Sequence, residues 1–200
     1  MVFLAAAASA HDAAAGETAA SSVLPSRVHT STRAYDVPTI RLVRDDGKVV
    51  SLPDEMNDGR PVVLNFIFTT CSSVCPLLSQ TLSQFDAKLG SGRGSVHLMS
   101  ISIDPEEDTP ARLREYARKF HAGPEWQHYT GTVEASVAAQ KAFGVYRGDK
   151  MSHIPVTMMR KAPGAPWIRI EGLLTPDQLL AEFQRMLGSE GHPVAARSAG

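Results

Sequence analysis

The sequence is short of the features that would assign its class at a glance. Among 200 residues there are only two cysteines, Cys71 and Cys75, so no second cysteine pair exists to complete a closed zinc site. The longest apolar stretches, such as Val62 to Phe68, are far too short to span a bilayer. Charge of one sign is missing too. The 20 Lys and Arg residues stand against 21 Asp and Glu, a formal net charge of −1, and no basic run stands out. Nucleic acid is therefore not an expected partner.

What is present fits one globular domain with tails. With 43% hydrophobic and 20% charged residues, the composition is ordinary, and a chain of this length buries a core without staples. The opening Met-Val-Phe-Leu-Ala-Ala-Ala-Ala-Ser-Ala-His resembles the end of a secretory signal, with a small-x-small site at Ala8-Ser9-Ala10. The apolar run is short and no Lys or Arg precedes it, so an alanine-rich tail is the alternative. On the first reading, residues 1–10 are a partial signal sequence and the protein is exported, which suits two cysteines able to pair. Residues 11–34 read as a flexible leader, 35–188 as the domain and 189–200 as a disordered tail.

Within the domain, Ile40 to Val43, Asp45-Asp46-Gly47 and Val49 to Leu52 predict an N-terminal β-hairpin. Pro61 to Phe68 is nearly all apolar, the mark of a central strand covered on both faces; its polar member, Asn65, must find partners there. Pro76 suits the first turn of a helix, whose inner stripe is Leu78, Leu82, Phe85 and Leu89. Val96 to Ile103 reads as a strand. Thr109-Pro110 starts a helix with Leu113, Tyr116, Ala117 and Phe120 inward. A helix over Thr132 to Phe143, strands at Val156 to Met159 and Trp167 to Ile170, and a capping-box helix from Thr175 complete the pattern. This predicts an α/β fold, a central mixed sheet with helices on both faces. Its site is expected at the carboxyl ends of the parallel strands.

Cys71-Ser72-Ser73-Val74-Cys75-Pro76 lies there, directly after the strand ending at Phe68. A helix N-terminus supplies free N–H groups and positive potential that favour a thiolate. Thiolates are soft ligands and select Cu(I) or other soft metals. Residues at i and i+4 on a regular helix have Cβ atoms roughly 5–6 Å apart, beyond the ~3.5–4.5 Å of a disulfide. A Cys71–Cys75 bridge in the oxidised protein therefore requires a loop or a distorted first turn. Two sulfurs need a third donor. Of the seven histidines, His11, His29 and His192 fall in expected tails, His97 lies early in a strand, and His121 and His128 fall after a helix and in a connecting segment. His153 lies in the loop before a strand; the residues alone leave the choice open. Asp104 either orients a ligand or partner at the site edge or merely stops a strand, Met151 is a soft donor near His153, and Met158 and Met159 read as core.

From about Ile40 to Leu187 the chain resembles the Sco/SenC family. The resemblance is carried by Phe66-Ile67-Phe68-Thr69-Thr70-Cys71-Ser72-Ser73-Val74-Cys75-Pro76, by Ser102-Ile103-Asp104-Pro105-Glu106-Glu107-Asp108-Thr109-Pro110, by Gly131-Thr132 and by Phe143-Gly144-Val145-Tyr146. It implies a thioredoxin-like fold and a copper ion, Cu(I) or Cu(II), held by Cys71, Cys75 and the distal His153. It also implies a chaperone role toward a copper-accepting partner such as a cytochrome c oxidase subunit with its Cu-A centre, alongside a thiol reductant protein. The expected location is the periplasm or another exported site, with membrane association in the full-length form. The family usually places Asp before the distal histidine, where this chain has Ser152. The residues that follow, Ile154-Pro155-Val156-Thr157, look more like the proline loop of thiol-exchanging relatives, so a cis Ile154–Pro155 bond is expected. The competing reading is a periplasmic thiol–disulfide oxidoreductase that uses Cys71 and Cys75 without metal. Against it stand the CxxxC spacing in place of CxxC and Thr70 where such enzymes often carry Trp.

Overall fold

The computed structural model describes residues 28–188. Its centre is the apolar run read from the sequence: Val62–Ile67 forms β4, with every residue buried. Numbered along the chain, the other strands are β1 (His29–Arg33), β2 (Arg41–Arg44), β3 (Val49–Ser51), β5 (His97–Ser102), β6 (Trp126–Thr130), β7 (Val156–Arg160) and β8 (Trp167–Glu171). The helices are α1 (Leu52–Met56), α2 (Val74–Leu89), α3 (Pro110–Lys119), α4 (Val133–Ala142) and α5 (Pro176–Leu187). One mixed sheet runs in the order β1-β8-β7-β4-β5-β6-β2-β3. Strands β4, β5 and β6 are parallel, and the flanking pairs are antiparallel.

Because side chains alternate along a strand, β4 feeds two cores. Val63 and Ile67 pack with Leu82 and Phe85 of α2, Leu113 of α3 and Phe183 of α5. Val62, Leu64 and Phe66 pack on the other face with Leu52 and Met56 of α1 and Phe143, which follows α4. The Phe85 and Phe183 rings meet edge to face with centroids 5.4 Å apart, a geometry worth about 0.5–1.5 kcal/mol beyond area burial. Asn65 accepts from Ser100 Oγ at 2.6 Å, and Ser100 Oγ in turn accepts from Trp126 Nε1 at 2.9 Å.

The expected helix starts are present with their chemistry. Thr109 caps α3 by accepting from Arg112 N–H, with Pro110 at the first helical position. Thr175 and Gln178 form a reciprocal capping box on α5. The β2–β3 hairpin turns through Gly47, whose φ of +89° suits a residue without Cβ.

Several expectations need correction. The span 11–34 was expected to be a flexible leader, but its part within the described residues contains β1, which pairs with β8 from His29↔Glu171 to Arg33↔Trp167. Thr30, Ser31 and Thr32 pair through the backbone, which a search for apolar alternation does not register. The segment around His128 was expected to be a connection and is instead β6, with Trp126, His128, Tyr129 and Thr130 buried. The five-residue α1 was not expected at all. No peptide bond among the described residues is cis, so Ile154–Pro155 is trans. The readings of residues 1–10, of the rest of the leader and of the 189–200 tail lie outside the described residues.

Candidate metal centre

The cysteine loop leaves the carboxyl end of β4, where the topology places sites in parallel sheets. Cys71 N–H donates to the Phe68 carbonyl at 3.2 Å and turns the chain back toward the sheet. The helix begins only at Val74, so Cys71 lies outside it and Cys75 within its first turn. The segment is thus the irregular turn expected, not a regular helix through both cysteines. Both residues are free thiols and both are buried.

The two thiols are unequal. Cys75 N–H points at Cys71 Sγ at 3.5 Å, and Ser73 Oγ lies 3.7 Å from the same sulfur. Burial opposes ionisation of Cys71, but hydrogen bonds from Cys75 and Ser73 outweigh it and hold the thiol below its ordinary range. At Cys75 burial pushes the thiol well up; a backbone hydrogen bond at Phe68 opposes this, and the neighbouring Cys71 adds to the rise. The environment thus favours the thiolate at Cys71 more than at Cys75.

Beneath the loop lies a fully buried carboxylate. Asp108 accepts from Thr69 N–H, Thr69 Oγ1 and Ser102 Oγ. Burial raises its pKa, against the pull of these donors. The sequence showed Asp108 only as part of a motif; its role depends on a contact with a residue 39 positions away.

His153 follows a 3-10 turn at Lys150–Ser152 and is buried. Its Nε2 lies 3.0 Å from the Phe66 carbonyl. A carbonyl only accepts, so Nε2 carries the proton and neutral Nδ1 carries the lone pair. Burial lowers the pKa of His153, against the pull of the Phe66 carbonyl, and so favours the neutral ring. Nδ1 is buried and has no hydrogen-bond partner. A cleft of about 370 Å³ opens beside it, lined also by Asp104, Tyr146, Arg147 and Lys150.

The structure brings Cys71 and Cys75 together and fixes His153 to the strand that feeds their loop. Among the described residues, no three His, Cys, Asp or Glu side chains converge closely enough to hold a metal ion. Of the other histidines, His97 is buried at the start of β5 and meets Tyr129 OH, and His128 is buried in β6. His121 is exposed. His29 begins β1, and His11 and His192 lie outside the described residues. Met158 and Met159 are core residues of β7, as expected, and Met151 is exposed. Asp104 does more than stop a strand: its carboxylate lies 2.5 Å from Lys150 Nζ.

This arrangement, a cysteine pair at the end of a central parallel strand with a helix behind it, is that of a thioredoxin-like protein. Over residues 30–188 the chain matches the family model described as SCO1/SenC, and it belongs to that family. The SCO1 protein homolog of Bacillus subtilis is 31% identical over 104 residues, 52% of this chain and 53% of that protein. The mitochondrial SCO1 homolog 1 of Arabidopsis thaliana is 36% identical over 107 residues, 52% of this chain and 30% of that one. The chain thus spans about half the length, or less, of these relatives. Among solved structures, Arabidopsis thaliana ScoI with copper bound superposes with a TM-score of 0.64 at 26% identity, covering 76% of this chain and 98% of that one. A SCO1/SenC family lipoprotein from Bacillus anthracis shares the fold, with a TM-score of 0.65 at 21% identity, covering 78% and 96%.

Proposed function

We propose that this protein carries one copper ion on the Cys71 and Cys75 thiolates and the His153 imidazole, and hands it to a partner protein. The observation that carries the reading is the buried, unpartnered Nδ1 of His153, whose tautomer is set by the Phe66 carbonyl. A ligating imidazole needs its other nitrogen held by such an acceptor. Two sulfurs and one imidazole nitrogen suit Cu(I), and ligand replacement then moves the ion on without opening the fold. The copper-bound state of the Arabidopsis relative supports the choice of metal. Membership of the family supports an acceptor of the cytochrome c oxidase type, with its Cu-A centre, and a thiol reductant that returns Cys71 and Cys75 to the dithiol. Export to the periplasm with membrane attachment suits the cysteine pair. Among the described residues, no helix is long and apolar enough to cross a membrane.

Loading the reduced protein with copper, with and without His153→Ala, tests the reading. The variant should lose affinity and change the Cu(II)–thiolate absorption. Unchanged affinity and spectrum would remove His153 from the site.

A second reading is favoured by the unequal thiols. A low-pKa Cys71 that attacks a partner disulfide, with Cys75 resolving the mixed disulfide, is the chemistry of a thiol–disulfide oxidoreductase. The pair would give up two electrons and two protons, and the partner would leave as a dithiol. Turnover in a disulfide-reduction assay, without copper and unaffected by His153→Ala, would favour that reading.

A further inference from the structure

A polar chain runs unbroken between the loop that carries His153 and the loop that carries the cysteines. It begins at Lys150, three residues before His153, whose Nζ lies 2.5 Å from Asp104 Oδ2. The Asp104 side chain is 8% exposed and the Lys150 side chain 38%, so the lysine reaches from the surface to a buried acceptor. Asp104 N–H donates to Ser102 Oγ at 3.0 Å. Ser102 Oγ donates to Asp108 Oδ2 at 2.6 Å. Asp108 accepts from Thr69 through both N–H and hydroxyl, two residues before Cys71. Lys150 makes a second tie, since Nζ lies 5.9 Å from the ring centroid of Phe68, where the cysteine loop begins.

Other holds on the His153 turn are few. Asp149 accepts from Met151 N–H inside the turn, and His153 itself donates to Phe66. The Ser152 side chain, beside the histidine, makes no hydrogen bond among the described residues. Apart from the His153 ring itself, Lys150 is the side chain of residues 150–153 that ties the turn to the rest of the site. The fastening point, Asp104, is in turn held by the serine that also anchors Asp108.

We propose that Lys150 and Asp104 are positioning residues: their ion pair ties the 150–153 turn to the cysteine loop, and so limits the movement by which His153 joins the sulfurs as the third donor. The relay through Ser102, Asp108 and Thr69 makes the placement of one loop depend on the other. This rests on the reading of His153 as a copper donor.

The test uses the full chain, reduced and anaerobic, with Cu(I) affinity measured by competition against a chromogenic chelator. Lys150→Met keeps the length of the side chain and removes its charge; Asp104→Asn removes the acceptor charge. Each should weaken copper binding by about tenfold, the lower end of what loss of an outer-shell partner costs. Lys150→Arg should restore most of the loss. In a His153→Ala background, Lys150→Met should add nothing, because the residue it positions is gone. A metal-free readout accompanies these: amide exchange over residues 147–153 should quicken in Lys150→Met. If the losses from Lys150→Met and His153→Ala multiply independently, or Lys150→Met binds copper as the parent does, the proposal is overturned. If His153→Ala alone leaves copper binding intact, the copper reading fails instead. Amide exchange then decides: quickened exchange keeps the strap, and unchanged exchange overturns it.

Discussion

Thr69 and Asp108 are joined twice: the Thr69 N–H reaches both carboxylate oxygens at 3.2 Å, and the Thr69 hydroxyl donates to Oδ1 at 2.5 Å. Removal of the carboxylate leaves the Ser102 hydroxyl buried without an acceptor and strips the half-buried Thr69 donors of theirs. Each such group costs about 1–3 kcal/mol. Asp108→Ala should therefore lower unfolding free energy in urea by about 2–4 kcal/mol, and Thr69→Val, which keeps the backbone bond, by clearly less. The buried carboxylate also gives a pH signature. Its folded pKa is raised above the ordinary 3.8. Its contribution to stability is fully present below pH 3.8 and declines as pH rises through the elevated folded value. Asp108→Asn should remove that decline, and an unchanged stability–pH curve would contradict the assignment.

His128 should produce the opposite slope. It is wholly buried, its ring stacks on Trp126 at 5.1 Å, and burial lowers its pKa from 6.5 to about 3. Asp45 Oδ2 is 3.9 Å from Nδ1, too far for a hydrogen bond. The folded protein holds His128 neutral while the unfolded chain takes up a proton. Its contribution is therefore fully present above pH 6.5 and is lost as pH falls toward about 3, at up to about 1.4 kcal/mol per pH unit. His128→Phe should flatten that acid limb in urea titrations run from pH 7 to pH 4.

The inequality of the two sulfurs predicts selective alkylation. Iodoacetamide at neutral pH should label Cys71 rapidly and Cys75 only when the chain unfolds, as read by peptide mass spectrometry. Equal rates at the two cysteines would show that the helix N–H groups do not favour the Cys71 thiolate.

Strand β1 lies in a stretch that reads as leader, and truncation exposes the difference. A chain that begins at residue 28 keeps β1 and serves as the reference. Removal of residues 1–34 deletes β1 and bares the backbone edge of β8. The shorter protein should melt at lower temperature and associate with rising concentration, as an uncovered edge strand invites pairing. Melting curves and sedimentation of the two truncations decide it.

The parts of the fold legible in the sequence were those encoded locally. The apolar run of β4, the stripe of Leu78, Leu82 and Phe85, the Thr109-Pro110 start and the Thr175–Gln178 box each declare themselves within a few residues. Strand β6 did not, because Trp126-Gln127-His128-Tyr129-Thr130 mixes polar and aromatic groups. Its burial is made tolerable by distant partners: Tyr129 OH donates to Glu55, and Trp126 Nε1 donates to Ser100. At the candidate site, the cysteine spacing was visible, whereas the anchoring of Thr69 by Asp108 and of Lys150 by Asp104 was not. Those contacts span 39 and 46 positions and exist only once β4, β5 and the His153 turn are assembled.

The acceptor that sets the His153 tautomer is a main-chain atom. Substitution at position 66 changes the ring that packs in the core but not the carbonyl that meets Nε2. Phe66 lies one residue past the last pair of the β4–β7 register, Asn65 with Thr157, and is itself paired with Ile101 of β5. Drift at codon 66 therefore leaves the acceptor where it is, and a slip of β4 in the sheet would move it. The acceptor for the ring is inherited from the weave of the sheet, and it outlasts any change of side chain at position 66.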